Sequence, residues 1–330
     1  LQDGRILSTR WEYIDKFANR IQSLWTMRPD GTGAATFWGN QSVYPDHLGE
    51  ARQIPGTTKV MFTGFGHHDV WVGCIGVVDP NEGLNFPDGI WKVTQELPWP
   101  EVGDGSLPTA ALTNDYHTSG PDAGYKTPYP LSEELFLVSA RTGGLWVGGM
   151  RSAHDPTIGK FKLFLMDIYG NRELIYEGDE NVLYAQPIRP RRPPHAWPDI
   201  ADMLGSEKDD PTVRPGVFFS NDIFEDAPPE VRELGKYLRV VESPEKRNWS
   251  DAAWGGQGQH APAMNWHSFE NKRILGTVPV EEDGSAHVEV PSDRFIFFQL
   301  LDENKMMVHS MRSGVSLQPG EVRGCVGCHE

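Results

Sequence analysis

A strand-and-turn rhythm, repeated four times, constrains this 330-residue chain more than any other feature. Each repeat opens with a short apolar run that ends in Ser or Thr: Ile6-Leu7-Ser8-Thr9, Val60-Met61-Phe62-Thr63, Leu135-Phe136-Leu137-Val138-Ser139 and Val217-Phe218-Phe219-Ser220. A second apolar run follows each: Leu24-Trp25-Thr26-Met27, Ile75-Gly76-Val77-Val78, Phe164-Leu165-Met166 and Leu238-Arg239-Val240-Val241. Short β-branched and aromatic runs bounded by turn residues read as strands. Three of the second runs enter tight turns, at Arg28-Pro29-Asp30-Gly31, Asp79-Pro80-Asn81 and Asp167-Ile168-Tyr169-Gly170. Asp and Gly suit such turns because they accept the required backbone angles. With 35 glycines and 26 prolines, long helical patterns are interrupted throughout, so the fold class is all-β. Regular repetition predicts a partial β-propeller of about four recognisable blades. A β-sandwich with coincidental spacing is the alternative.

Residues 1–254 are assigned to the blades, with two departures. The stretch 82–130 is rich in Gly, Pro and Asp and reads as an insertion on one propeller face, too irregular for blade strands. The loop 187–214 contains Pro190-Arg191-Arg192-Pro193-Pro194, which predicts an extended polyproline-like strap or a solvated linker. Residues 255–330 form a separate β-rich module. Its strands are expected at Arg273-Ile274-Leu275-Gly276-Thr277-Val278-Pro279-Val280, Ala286-His287-Val288-Glu289-Val290 and Phe295-Ile296-Phe297-Phe298-Gln299-Leu300-Leu301. The module reads as a small β-sandwich or as a closing blade with an extension. The first repeat starts abruptly at Leu1, as expected of an internal piece of a longer polypeptide.

Near the end stands Cys325-Val326-Gly327-Cys328-His329, the C-x-x-C-H pattern of covalent c-type haem attachment. Thiols three positions apart reach two vinyl groups on one haem edge, and the adjacent histidine supplies an imidazole to the iron. Cys325, Cys328 and His329 are therefore the candidate cofactor-binding residues, with haem c as the cofactor. A half zinc site, a dithiol redox pair or chance are the competing readings. Only three cysteines occur, too few for a disulfide-built secreted domain. Haem is attached outside the cytoplasm, so the motif implies an exported chain in a periplasmic or equivalent compartment, although no signal sequence is visible at Leu1.

The formal net charge of −16 argues against nucleic acid and against an anionic membrane surface as partners. No apolar run is long enough to span a bilayer as a helix. A small-molecule substrate or a redox partner protein remains.

A second cluster, His67-His68-Asp69 with Cys74, offers imidazole, carboxylate and thiolate, all of them zinc ligands. Adjacent histidines on an extended segment face opposite ways, so only one of His67 and His68 shares a site with Cys74 unless the chain bends. The alternative makes Cys74 a small buried strand residue and His68 a turn residue. His260, His267 and His309 are candidates for a distal haem ligand. Asp115-Tyr116-His117 and His154-Asp155 read as loop polar residues, and Glu281-Glu282-Asp283 as an acidic hairpin.

Several segments resemble the hydrazine synthase alpha-subunit family. They are Asp3-Gly4-Arg5-Ile6-Leu7-Ser8-Thr9-Arg10-Trp11-Glu12-Tyr13, Gln22-Ser23-Leu24-Trp25-Thr26-Met27-Arg28-Pro29-Asp30-Gly31, Pro128-Tyr129-Pro130-Leu131-Ser132-Glu133-Glu134-Leu135, Gly276-Thr277-Val278-Pro279-Val280-Glu281-Glu282-Asp283-Gly284, and Leu317-Gln318-Pro319-Gly320-Glu321 through to the C-x-x-C-H motif. The resemblance covers nearly the whole chain and implies a planctomycete-type relative. It further implies membership of a periplasmic-type multisubunit haem complex that joins nitric oxide and ammonium, the alpha subunit holding a catalytic and an electron-transfer haem. The expected function is that of a fragment of an exported c-type haem redox protein, acting in small nitrogen-molecule chemistry or electron transfer. A propeller that serves only as a binding or scaffold module is the alternative.

Overall fold

The computed structural model describes residues 1–11, 22–40, 42, 45, 47–65, 72–97, 99, 124–141, 159–200, 214–244, 271–311 and 313–327. The chain divides into two compact units: Leu1–Trp11, Asn19–Thr26 and Thr36–Ala196 make the first, and Glu12–Ala18, Met27–Ala35 and Trp197–Glu330 the second. Regular structure in the described residues is almost entirely strand.

The first unit starts with β1 (Ile6–Trp11), β2 (Gln22–Met27) and β3 (Ala35–Trp38), of which β3 pairs with β2. Then come β4 (His47–Gln53), β5 (Val60–Phe65), β6 (Gly73–Val78) and β7 (Ile90–Lys92), a four-stranded antiparallel meander. A second such meander follows, formed by β8 (Gly124–Pro130), β9 (Leu135–Arg141), β10 (Lys162–Asp167) and β11 (Arg172–Tyr176). A single residue pair, Gly73 with Tyr125, links β6 to β8. Consecutive strands thus pair with their sequence neighbours, as short connections and alternating direction require.

Every residue of β5 and β6 is buried. Continuous apolar sequence, rather than alternation, is what a strand covered on both faces needs. Met61, Ile75, Val77, Phe136, Val138 and Met166 share one core cluster. The two strands also approach closely: a Cβ at Gly73 would lie 1.9 Å from the Gly64 carbonyl oxygen. Only glycine fits there.

β7 and β8 correct the reading of residues 82–130 as an insertion without blade strands, since both are full members of the meanders. The signal was hidden because β7 has three residues and β8 holds two prolines. The ladder accommodates the prolines through a register shift between Lys126 and Tyr129, where Thr127 adopts a φ of 53°. Residues 101–123 lie outside the described residues. Within the Pro/Arg-rich loop, residues 187–199 carry no regular secondary structure.

The second unit contains β12 (Gly216–Ser220), the short helix α1 (Pro229–Leu234), β13 (Tyr237–Glu242), β14 (Arg273–Pro279), β15 (Ala286–Val290), β16 (Ile296–Leu301), β17 (Met307–Ser310) and β18 (Val322–Gly324). These strands form a three-stranded sheet, β15-β12-β18, and a four-stranded sheet, β14-β13-β16-β17. β15 alternates buried and exposed, the pattern of a strand with one face on a core. Both sheets supply that core: Phe218 and Val288 come from one, Val240, Phe298 and Leu300 from the other. The Phe218 and Phe298 rings meet edge to face with centroids 5.3 Å apart.

The fourth pair of runs does not form the middle of one blade, because β12 and β13 lie in different sheets. The runs are correct as strands. What the local pattern cannot specify is the partner, since β12 pairs with β15 and β18, which lie far along the chain. The unit therefore takes in strands that the sequence reading had counted among the blades.

Candidate functional site around Cys325

The haem-type motif begins where β18 ends. β18 runs parallel to β12, pairing Val217 with Val322, Phe218 with Arg323 and Phe219 with Gly324. Two backbone hydrogen bonds extend this register: Val217 N–H donates to the Glu321 carbonyl, and Cys325 N–H donates to the Phe219 carbonyl, each at 2.8 Å. Paired residues share a sheet face and successive residues alternate. Phe218, Ser220, Arg323 and Cys325 consequently occupy one face, the face of the core cluster against which Cys325 packs half-buried. Burial raises the Cys325 thiol pKa, and the Arg323 charge opposes that rise.

Gly327, the second spacer residue of the motif, has a φ of 57°, and a Cβ there would lie 2.7 Å from the Glu225 carbonyl oxygen. Glycine is required on both counts. Cys328 and His329 lie outside the described residues.

The segment that leads into the motif is held by the turn 28–34. Arg28 N–H donates to the Thr32 carbonyl at 2.9 Å, while Asp30 Oδ1 accepts from the Thr32 N–H at 3.0 Å and Oγ1 at 2.8 Å. Gly33 N–H then donates to Glu321 Oε1, and Gln318 N–H to Glu321 Oε2, both at 2.9 Å. Glu321 is only 6% exposed, and these two charge-assisted bonds offset the cost of burying its carboxylate. Arg323 Nη2 donates to the Ala34 carbonyl. Its Nη1 is buried without a hydrogen-bond partner, and so is Ser220 Oγ on the same sheet face. Sequence reasoning passed over Arg323 and Glu321. Charged residues at alternate positions, four and two before the first motif cysteine, were the available signal.

The candidate zinc group is only partly in view. His67, His68 and Asp69 lie outside the described residues, as do His260, His267, Asp115, Tyr116, His117, His154 and Asp155. Cys74 sits on β6 with no exposed surface, its Sγ 3.7 Å from the Gly64 carbonyl oxygen. Desolvation pushes its thiol pKa far up, which favours the neutral thiol of a packed core residue. Among the described residues no three His, Cys, Asp or Glu side chains gather as a metal site would. His309 is on β17, in the four-stranded sheet, whereas Cys325 extends the three-stranded one. The acidic segment at 281–285 is a tight turn closed by Glu281 N–H to the Ser285 carbonyl at 2.9 Å.

Residues 234–330, from the end of α1 through the motif, match the model of the hydrazine synthase alpha subunit middle domain. Over these residues the chain is hydrazine synthase alpha-like. Among solved structures, hydrazine synthase from Kuenenia stuttgartiensis is similar, with a TM-score of 0.66 at 18% identity over 99% of this chain. That alignment covers 42% of the solved chain, so the present chain spans less than half of the protein it resembles. At this identity the likeness is one of fold. No curated protein matches the sequence. Among the described residues no helix is long and apolar enough to cross a membrane.

Proposed function

We propose that this hydrazine synthase alpha-like chain is part of an exported c-type haem redox protein, with β4–β7 and β8–β11 two blades of a partial β-propeller. The observation that carries the reading is that the family match includes C-x-x-C-H, whose first cysteine is only partly buried. Cys325 and Cys328 would hold the haem through thioether bonds, with His329 as the proximal imidazole. The residues in view suit that group: Cys325 follows β18 at a sheet edge and is only partly buried, and Gly327, the spacer before the second cysteine, takes a positive φ of 57°. When bound, the haem supplies one-electron chemistry and a site for a small nitrogen-containing ligand. The chain's own part is to fix the motif in register with β12 and to keep it rigid through Glu321. Assembly with further subunits and residence in a periplasmic-type compartment belong to the same proposal.

The test is a spectrum of the parent protein produced with c-type maturation machinery, before and after nitric oxide is added to the reduced form. Covalent haem whose absorption shifts with nitric oxide is the expected result. Covalent haem that ignores nitric oxide would restrict the function to electron transfer. A matured protein without haem would leave a binding or scaffold module.

A further inference from the structure

Two β-bulges of the first unit are fastened to one carboxylate. The β4–β5 register shifts between Gly49 and Arg52, and the β8–β9 register shifts between Lys126 and Tyr129. Glu50 and Thr127 lie inside those shifts, each with a φ of 53°, and Tyr184 is a third non-glycine residue in the left-handed region, with a φ of 57°. All three line one open cleft of about 370 Å³, together with Ser8, Thr9 and Arg52. Glu50 ties them together. Its Oε2 accepts from Thr127 N–H at 2.6 Å and from Thr63 Oγ1 at 2.9 Å, and its Oε1 accepts from the Tyr184 hydroxyl at 3.2 Å, with Lys126 Nζ 3.4 Å away. Strained backbone held in a well-bonded frame concentrates at ligand sites, and bulges re-aim the side chains beside them.

The side chains that follow the two bulges are Arg52 and Tyr129. The Arg52 guanidinium lies over the Tyr129 ring, 5.2 Å from its centre, and Arg191 brings a second guanidinium to the same ring at 5.7 Å. Neither pairs with a carboxylate among the described residues, and Arg191 makes one hydrogen bond, of 3.4 Å to Gln186 Oε1. A guanidinium over a ring spends its face on the π system, while its N–H donors, which lie in its own plane, remain to meet an oxyanion. Glu50 is balanced by Lys126 and by its hydrogen-bond donors, so it does not cancel the charge of the two arginines. Leu7, Ala51, Pro55 and Pro130 give the adjoining part of the cleft an apolar wall.

We infer that this cleft binds a small oxyanion of the phosphate type, free or carried on an apolar organic body, with Arg52 as the principal donor and Arg191 as the second. The site lies wholly in the first unit and stands independently of the haem reading.

The experiment is a calorimetric titration of the full-length parent protein with inorganic phosphate and with phenyl phosphate at low chloride, repeated on Arg52→Gln, Arg191→Gln and Arg192→Gln. The expected result is one saturable site, weakened roughly tenfold or more by Arg52→Gln and by a smaller factor by Arg191→Gln. Arg192→Gln, which removes the same charge from the same exposed segment, should leave binding unchanged. Phenyl phosphate bound more tightly than inorganic phosphate assigns an organic ligand, and otherwise the ligand is the free ion. If Arg52→Gln does not accumulate as folded protein, Arg191→Gln set against Arg192→Gln decides, because both positions lie on a segment without regular secondary structure. No saturable binding of either probe to the wild type overturns the inference, and so does binding that Arg52→Gln and Arg191→Gln weaken no more than Arg192→Gln does.

Discussion

Cys74 lies on β6, where every residue is buried, while Cys325 follows a three-residue strand at the edge of a three-stranded sheet and keeps part of its surface. The first belongs to a region where every residue of two adjacent strands is buried. The second belongs to a region built from backbone bonds and buried charges, in which Glu321 and Arg323 do the holding. A thiol sealed among apolar side chains contributes packing and stays protonated. Cys325, at a sheet edge on a segment fixed by hydrogen bonds, packs against its core only in part.

Four substitutions bear on that contrast. Phe136→Ala, in the cluster that includes Cys74, should be the most damaging, at about 3–5 kcal/mol from urea midpoints. A cost below about 1 kcal/mol would mean that this core is loosely packed. Next comes a pH effect from His47, which is 3% exposed on β4 and whose pKa desolvation lowers from 6.5 to about 3. The fold holds this imidazole neutral, whereas the unfolded chain takes up a proton once the pH falls below 6.5. The stabilisation is accordingly complete above pH 6.5 and is lost as the pH falls toward about 3. His47→Gln should flatten that acid limb in a series of denaturation curves, and an unchanged slope would show that another group sets it.

Cys74→Ser puts a hydroxyl into an apolar interior and should cost about 1–3 kcal/mol. Full tolerance would contradict the packed-thiol account. The smallest effect is expected from Cys325→Ala: about 1 kcal/mol or less in stability, together with loss of the covalent cofactor link. A stability loss as large as that of Phe136→Ala would erase the distinction between the two regions.

Much of the strand content was legible in the sequence, and the reasons are local. The run at Val60 to Thr63 lies within β5, Ala286 to Val290 coincides with β15, and Phe164 to Met166 lies within β10. In each, apolar β-forming residues stand between turn residues. The failures were of two kinds. β8 was missed because Pro128 and Pro130 read as loop, although a register shift lets the strand keep them. The partners of β12 were misassigned because pairing over long sequence distances leaves no local trace. At the site, the motif itself was plain from residue types, and Gly327 was visible as part of it. The roles of Glu321 and Arg323 depend on a turn some 290 residues earlier in the chain, which only the fold brings beside them.

A covalent haem on Cys325 and Cys328 would add its mass to the chain irreversibly. The most direct test is the intact mass of the matured parent protein under denaturing conditions, beside that of Cys325→Ala combined with Cys328→Ala. The expected result is a wild-type mass raised by the haem, with the addition mapped to the peptide that contains Cys325 and Cys328, and an unmodified mass for the double variant. A wild-type chain of unmodified mass, recovered from cells that mature other c-type proteins, would contradict it.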